Sequence, residues 1–171
     1  MNDEDSQLQL IDVDFDEVRS RKADLDKTGT SKAPNFQSLG VSQGRDFARQ
    51  CDQLLESHGY TLHGSPTEQD IGVEIDREAT SPSGTLVWFE YKGSVRGKRP
   101  GLMRTDTLKK AIANGALVKV LPDPPPFVVL TSHVPTSGSG LAMLNAAMNV
   151  GYLCDVIPIF DYEAVKRLKN F

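Results

Sequence analysis

Between Asp70 and Lys92 the chain alternates apolar and polar residues on both sides of a turn-forming Ser81-Pro82-Ser83-Gly84. Such alternation marks strands with one buried face, and two runs joined by a Pro/Gly turn make a β-hairpin. On the first strand Ile71, Val73 and Ile75 take the apolar face, and Asp70, Gly72, Glu74 and Asp76 take the polar one. On the second, Val87, Phe89 and Tyr91 stand opposite Glu90 and Lys92. A lone hairpin is barely stable in water, so the flanking segments decide the fold class.

Those segments supply helices and further strands. Phe47, Cys51, Leu54, Leu55 and His58 recur at spacings of three and four, which predicts a helix from Ser42 that Gly59 ends. Tyr60 to His63 reads as a short strand, and GSPTEQ as turn. After the basic loop GSVRGKRPG, Thr105 can cap a helix through Leu108, Ile112 and Ala116, and the proline cluster PDPPP breaks the chain beyond it. Phe127 to Thr131 is a continuous apolar run and reads as a buried strand. Gly140 to Val150 is a helix apolar nearly all round, which makes it core or a subunit interface. Tyr152 to Ile159 is another strand, and 161–170 a short amphipathic helix. The order predicts one α/β domain over 35–171, with a mixed central sheet flanked by helices. Residues 1–34, with a short alternation at Leu8, Leu10, Val13 and Phe15, read as an N-terminal extension and linker.

Composition narrows the setting. At 39% hydrophobic and 25% charged the chain is ordinary for a globular protein, and no apolar run approaches the roughly 18 residues of a membrane span. The acidic start MNDEDSQLQL is unlike a secretory signal, so a cytoplasmic location is expected. Cys51 and Cys154 sit in periodic apolar segments and read as reduced core thiols.

Charge distribution is more informative than the net −4. Residues 1–34 carry nine acids and five bases, which accounts for the whole net charge and leaves the other 137 residues neutral. Within that neutral body, 92–110 holds seven bases against one acid, Asp106. A basic patch therefore follows directly on Lys92.

If the polar faces of the two hairpin strands coincide, two or three carboxylates and a lysine converge. Carboxylates repel at close range, and a divalent cation with oxygen ligands is the usual reason to tolerate them together. Magnesium is the cation this predicts.

An acid at the start of one strand and Glu-x-Lys on its hairpin partner, with a helix before and a helix and strand after, resembles the PD-(D/E)XK nuclease superfamily. The resemblance covers about residues 42–131 and implies the restriction-endonuclease-like fold with its αβββαβ core. It also implies that two acids bind one or two magnesium ions, manganese substituting, while the lysine positions or activates the attacking water and stabilises transition-state charge. By motif, Glu90 and Lys92 take the Glu-x-Lys positions and Asp70 the preceding aspartate, although Gln69 stands where the family has proline. Glu74 is the rival first ligand, because DIGVEI also resembles a Gly-x-x-Asp version with glutamate for aspartate. Many members add an acid from the preceding helix, where Asp46, Asp52 and Glu56 are the candidates.

The loop after Lys92 superficially suggests a P-loop, but its glycine spacing is one residue short and Arg99 replaces the required Ser/Thr. Contact with a nucleic-acid backbone suits it better: Ser94, Arg96, Lys98, Arg99, Arg104 and Lys109 are the expected phosphate contacts, on DNA that is double-stranded. The expected function is therefore a Mg-dependent endonuclease hydrolysing phosphodiester bonds in DNA. The alternative is an inactive nuclease-like fold that binds DNA or assembles a complex. A homodimer or larger nuclease complex stays open, as does docking of the acidic extension on a protein partner.

Overall fold

The turn at Ser81 organises the hairpin. In the computed structural model, which describes residues 36–93 and 100–171, the Ser81 amide donates to the Thr85 carbonyl at 2.8 Å and the Gly84 amide to the Ser81 carbonyl at 2.9 Å. Gly84 adopts φ +88°, a left-handed conformation that only glycine enters without steric cost. Strands β4 (Arg77–Thr80) and β5 (Leu86–Lys92) leave this turn antiparallel, with Arg77 opposite Phe89 and Thr80 opposite Leu86.

The strand before the turn thus differs from the expected run over 70–76. Within that run only β3 (Val73–Glu74) is a strand, and it pairs with β2 (Thr67–Glu68) in a separate two-stranded sheet. The alternation there reports burial and not pairing in the main sheet: Val73 and Ile75 sink into the core while Glu74 stays exposed.

The other elements come in the expected order with shifted bounds: the first helix begins at Phe36 and not Ser42, the last strand is Asp155–Pro158 and not 152–159, and the C-terminal helix is one α turn continued as 3₁₀. Helix α1 spans Phe36–Ser57 and precedes β1 (Thr61–Leu62); α2 spans Thr105–Val118, β6 is Phe127–Thr131, α3 is Gly138–Val150, β7 is Asp155–Pro158, and α4 (Tyr162–Val165) runs into a 3₁₀ turn over Lys166–Asn170. The five-stranded sheet has the order β1-β4-β5-β6-β7, with β5, β6 and β7 mutually parallel and β1, β4 and β5 antiparallel in turn. Parallel neighbours need a long crossover, which α2 and α3 provide. The result is a mixed α/β fold.

Because helices cover both faces, β5 and β6 are buried on both sides and read as near-continuous apolar runs. One core holds Phe47, Cys51 and Leu55 of α1 and Ala164 and Leu168 near the C-terminus, against Val87, Phe89, Val128 and Leu130. The other holds Leu108, Ala111 and Val118 of α2 and Leu144 and Ala147 of α3, against Trp88, Val129, Val156 and Ile75. The apolar helix α3 is thus core along one face only; Ala142, Ala146 and Val150 are exposed. Cys51 is buried as expected, but Cys154 is exposed, because it lies in the turn ahead of β7 and not in the strand. Among the described residues no helix is long and apolar enough to cross a membrane.

The seam between α2 and the α3–β7 turn is tightest at Gly115. A Cβ on Gly115 would overlap the Tyr152 carbonyl oxygen, which is backbone and cannot swing aside. Alanine is favoured over glycine by about 1 kcal/mol in an open helix. At this position overpacking reverses the sign: Gly115→Ala is expected to lower the unfolding free energy by about 1–3 kcal/mol, read from urea denaturation, and a stabilised variant would contradict the packing.

Candidate active site

Extending the β4/β5 register one residue beyond Arg77 places Asp76 opposite Glu90. Asp76 then shares a face with Glu90 and Lys92, and that face is the one covered by α2. The Lys92 ammonium forms an ion pair with Glu90 Oε1 and lies 3.6 Å from Asp76 Oδ2. It also lies 3.5 Å from the Tyr91 carbonyl oxygen. One cation therefore stands among three oxygens, two from β5 and one from the residue that precedes β4.

The two carboxylates have different surroundings. Glu90 is only 1% exposed and its Oε1 also accepts from Asn114 Nδ2 of α2 at 3.0 Å. Burial pushes its carboxyl above the ordinary value, the Lys92 ammonium pulls it back, and the neighbouring Asp76 charge adds to the rise. The Asp76 side chain is 35% exposed, and its Oδ2 accepts from the Tyr91 amide at 2.7 Å. So one acid is sealed in the core and the other opens to solvent. The end of β5 is held as well, because Thr131 Oγ1 donates to the Lys92 carbonyl at 2.6 Å.

Asp70 and Glu74 take no part in this group. Asp70 is exposed in the turn before β3, its amide facing Glu68 Oε1 at 3.5 Å, and Glu74 is exposed on β3 opposite Thr67. Parity along 70–76 puts four residues on one face, but the main-sheet strand begins only at Arg77, so only the last of them reaches the hairpin. Counting outward from Ser83, the centre of the hairpin, pairs Glu90 with Asp76 and could have identified it from sequence. Asn114 carries no such signal, since it arrives from a different element.

The acids of α1 also face elsewhere. Asp46 pairs with Arg49 on the surface and Glu56 is exposed. Asp52 points to the opposite side of the sheet, where it accepts from Arg77 Nε at 2.9 Å, Arg77 Nη2 at 2.7 Å and the Tyr91 hydroxyl at 2.8 Å. Burial and the Asp52 hydrogen bond push the Tyr91 phenol up, which keeps it a donor.

Of the expected phosphate contacts, Ser94, Arg96, Lys98 and Arg99 lie outside the described residues. Arg104 immediately precedes α2, in the position expected of Thr105 but without a side-chain capping bond; it pairs with Asp106 at 3.1 Å and lines a groove of about 220 Å³ with Lys92, Gly93, Gly101 and Thr107. The groove adjoins the acid pair. Lys109 is exposed on α2.

Among the described residues no three His, Cys, Asp or Glu side chains converge as metal ligands. Asp76, Glu90 and the Tyr91 carbonyl nonetheless offer hard oxygen donors around a single point, now met by the Lys92 ammonium. That donor chemistry fits a small divalent cation that keeps several waters.

A buried acid with a raised pKa binds its proton more tightly folded than unfolded. Its contribution to stability is therefore full below the unfolded value, about 4.3, and is lost as pH rises through the folded value. In EDTA, the stability of the parent chain minus that of Glu90→Gln is expected to fall as pH rises from about 4 to 7. Urea unfolding across that range measures it, and a difference that stays flat or grows would contradict the burial of an ionised Glu90.

Compared with known proteins, the chain matches no family model, no curated protein and no solved structure, so the reading of this site rests on its own residues and geometry.

Proposed function

We propose that the chain is a metal-dependent nuclease hydrolysing phosphodiester bonds in DNA, with Asp76 in the place first expected of Asp70 or Glu74. The observation that carries the reading is the Lys92 ammonium lying between Asp76 and Glu90 across a hairpin, beside a groove lined by Arg104. Structural ion pairs seldom bury a glutamate at 1% exposure next to a second acid, because both desolvation and repulsion oppose it. Sites that need charge for chemistry accept that cost. The element order is compatible with the expected αβββαβ core: with the small β2–β3 sheet set apart, α1 is followed by β1, β4 and β5 antiparallel in turn, then by α2 and a parallel β6.

In this reading Asp76, Glu90 and the Tyr91 carbonyl would hold magnesium. Bound there, the ion would polarise a phosphoryl oxygen and lower the pKa of a coordinated water. The chain's own residues do the rest. Asn114 and burial fix the Glu90 carboxylate in one orientation, and Asp76, at the solvent side, meets the incoming backbone. Lys92, 15% exposed at its side chain, presents an ammonium to the charge that develops on the phosphate or to the attacking water. Arg104 and Thr107 offer a cation and a hydroxyl to a phosphate in the adjoining groove.

Incubation with supercoiled plasmid and Mg²⁺ or Mn²⁺ tests the reading. Asp76→Asn and Glu90→Gln are each expected to cost about 100-fold or more in cleavage rate with the fold retained; Lys92→Ala is expected to cost as much in rate and also to lower stability, because it leaves Glu90 buried without its cation. Asp70→Asn and Glu74→Gln are expected to cut like the parent chain. Intact plasmid with both metals would overturn nuclease activity, and an inert Asp70→Asn beside an active Asp76→Asn would return the ligand role to Asp70.

Binding supplies a separate check. Arg104→Ala is expected to weaken DNA binding on every sequence and to flatten the slope of log K against log[salt] by about 0.9, the value for one lost phosphate contact. Anisotropy in calcium measures this. An unchanged slope would place Arg104 off the DNA path.

A further inference from the structure

The face of the hairpin opposite the acid pair carries a second polar group with no place in the chemistry described above. Asp52 of α1 accepts three hydrogen bonds: Arg77 Nε at 2.9 Å and the Tyr91 hydroxyl at 2.8 Å on Oδ1, and Arg77 Nη2 at 2.7 Å on Oδ2. Both donors are strand residues, one on β4 and one on β5. Each is also the immediate neighbour of site residues. Arg77 follows Asp76, and Tyr91 stands between Glu90 and Lys92. Because successive strand residues point to opposite faces, whatever fixes Arg77 and Tyr91 on one face fixes Asp76, Glu90 and Lys92 on the other.

We infer that Asp52, through Arg77 and Tyr91, is a positioning residue that sets the separation of Asp76 and Glu90 across the two strands. Three features support this. The Arg77–Asp52 contact is bidentate, a geometry that fixes direction as well as distance. Arg77 Nη1 also donates to the His63 carbonyl at 2.6 Å, so the guanidinium is held from the β1 side too. And the clamp grips the open end of the hairpin, about as far from the Ser81–Gly84 turn as the pairing extends, where strands fray most easily. There the Tyr91 amide donates to Asp76 Oδ2 at 2.7 Å, a bond that lasts only while the two strand ends stay together. The same carboxylate that sequence reasoning offered as a metal ligand thus acts from behind the sheet.

The inference rests on the nuclease reading for its activity arm but not for its structural arm. Asp52→Asn and the milder Tyr91→Phe, which removes one hydroxyl, are compared with the parent chain in plasmid cleavage and in amide hydrogen exchange. A placement error near 1 Å can cost about 100-fold, so Asp52→Asn is expected to lower kcat by about 10 to 100-fold with KM for plasmid unchanged, and Tyr91→Phe by less. In both variants the Tyr91 amide is expected to lose protection, by about tenfold for Asp52→Asn, as for the loss of roughly one hydrogen bond. The Trp88 amide, which donates to Pro126 in the middle of the sheet, is expected to keep its protection, which separates local loosening from a general loss of stability. Unchanged Tyr91 protection in folded variants would overturn the inference, as would a raised KM with kcat intact. Should the parent chain leave plasmid intact with both Mg²⁺ and Mn²⁺, the nuclease reading fails, and the exchange comparison still decides whether Asp52 holds the strands.

Discussion

The Lys92–Glu90 ion pair is the contact on which the rest of this structure depends. A carboxylate sealed beneath a helix in the middle of a sheet is tolerated only if its charge is met where it lies, since an uncompensated buried charge costs about 3 to 5 kcal/mol. Here the ammonium comes from the same strand two residues on, and an amide comes from Asn114 on the crossover helix. Both requirements constrain the fold. Strand β5 has to keep its pleat through Lys92, and α2 has to lie close enough to bring Asn114 over it, which the absence of a side chain at Gly115 assists by seating the helix against the Tyr152 backbone.

From that contact the two faces of the hairpin acquire different tasks. One face holds acids and an ammonium at the edge of a groove; the other holds a carboxylate, a guanidinium and a phenol that tie the same two strands to α1. Alternation keeps the groups apart while coupling them mechanically through the backbone. The placement of charge follows from this separation. Lys92, paired with Asp76 and Glu90, lines the groove with Arg104, whereas the charge of Asp52 is met by Arg77 on the opposite face.

The site is also graded in depth. Glu90 is closed to solvent, Lys92 nearly so, and Asp76 is partly open. Such a gradient lets a hydrated cation and a phosphate approach from the Asp76 side while the inner carboxylate stays dry, where electrostatic interactions are strongest. Stability is surrendered for it. A hydrophobic residue at position 90 would pack with Trp88 and Val129 at lower cost, which is the usual sign of a position kept for function.

Much of this was legible in the amino-acid sequence. Alternation alone placed Glu90 and Lys92 on one face and Tyr91 on the other, and continuous apolarity marked Phe127–Thr131 as a strand buried on both sides. Local chemistry also set the Ser81–Gly84 turn, whereas Thr105, read as the cap of α2, is its first helical residue and caps nothing. What the sequence left open was every relation between elements. Alternation over 70–76 reports which residues are buried, not which strand they pair with, and the motif resemblance favoured Asp70 or Glu74, so Asp76 was passed over until the register at Arg77 and Phe89 placed it opposite Glu90. Asn114 reached Glu90, and Asp52 turned to Arg77 and Tyr91, only through the packing of α2 and α1 on opposite sheet faces. Periodicity is a property of neighbours along the chain, whereas the meeting of a helix side chain with a strand carboxylate depends on contacts across two cores that no single segment contains.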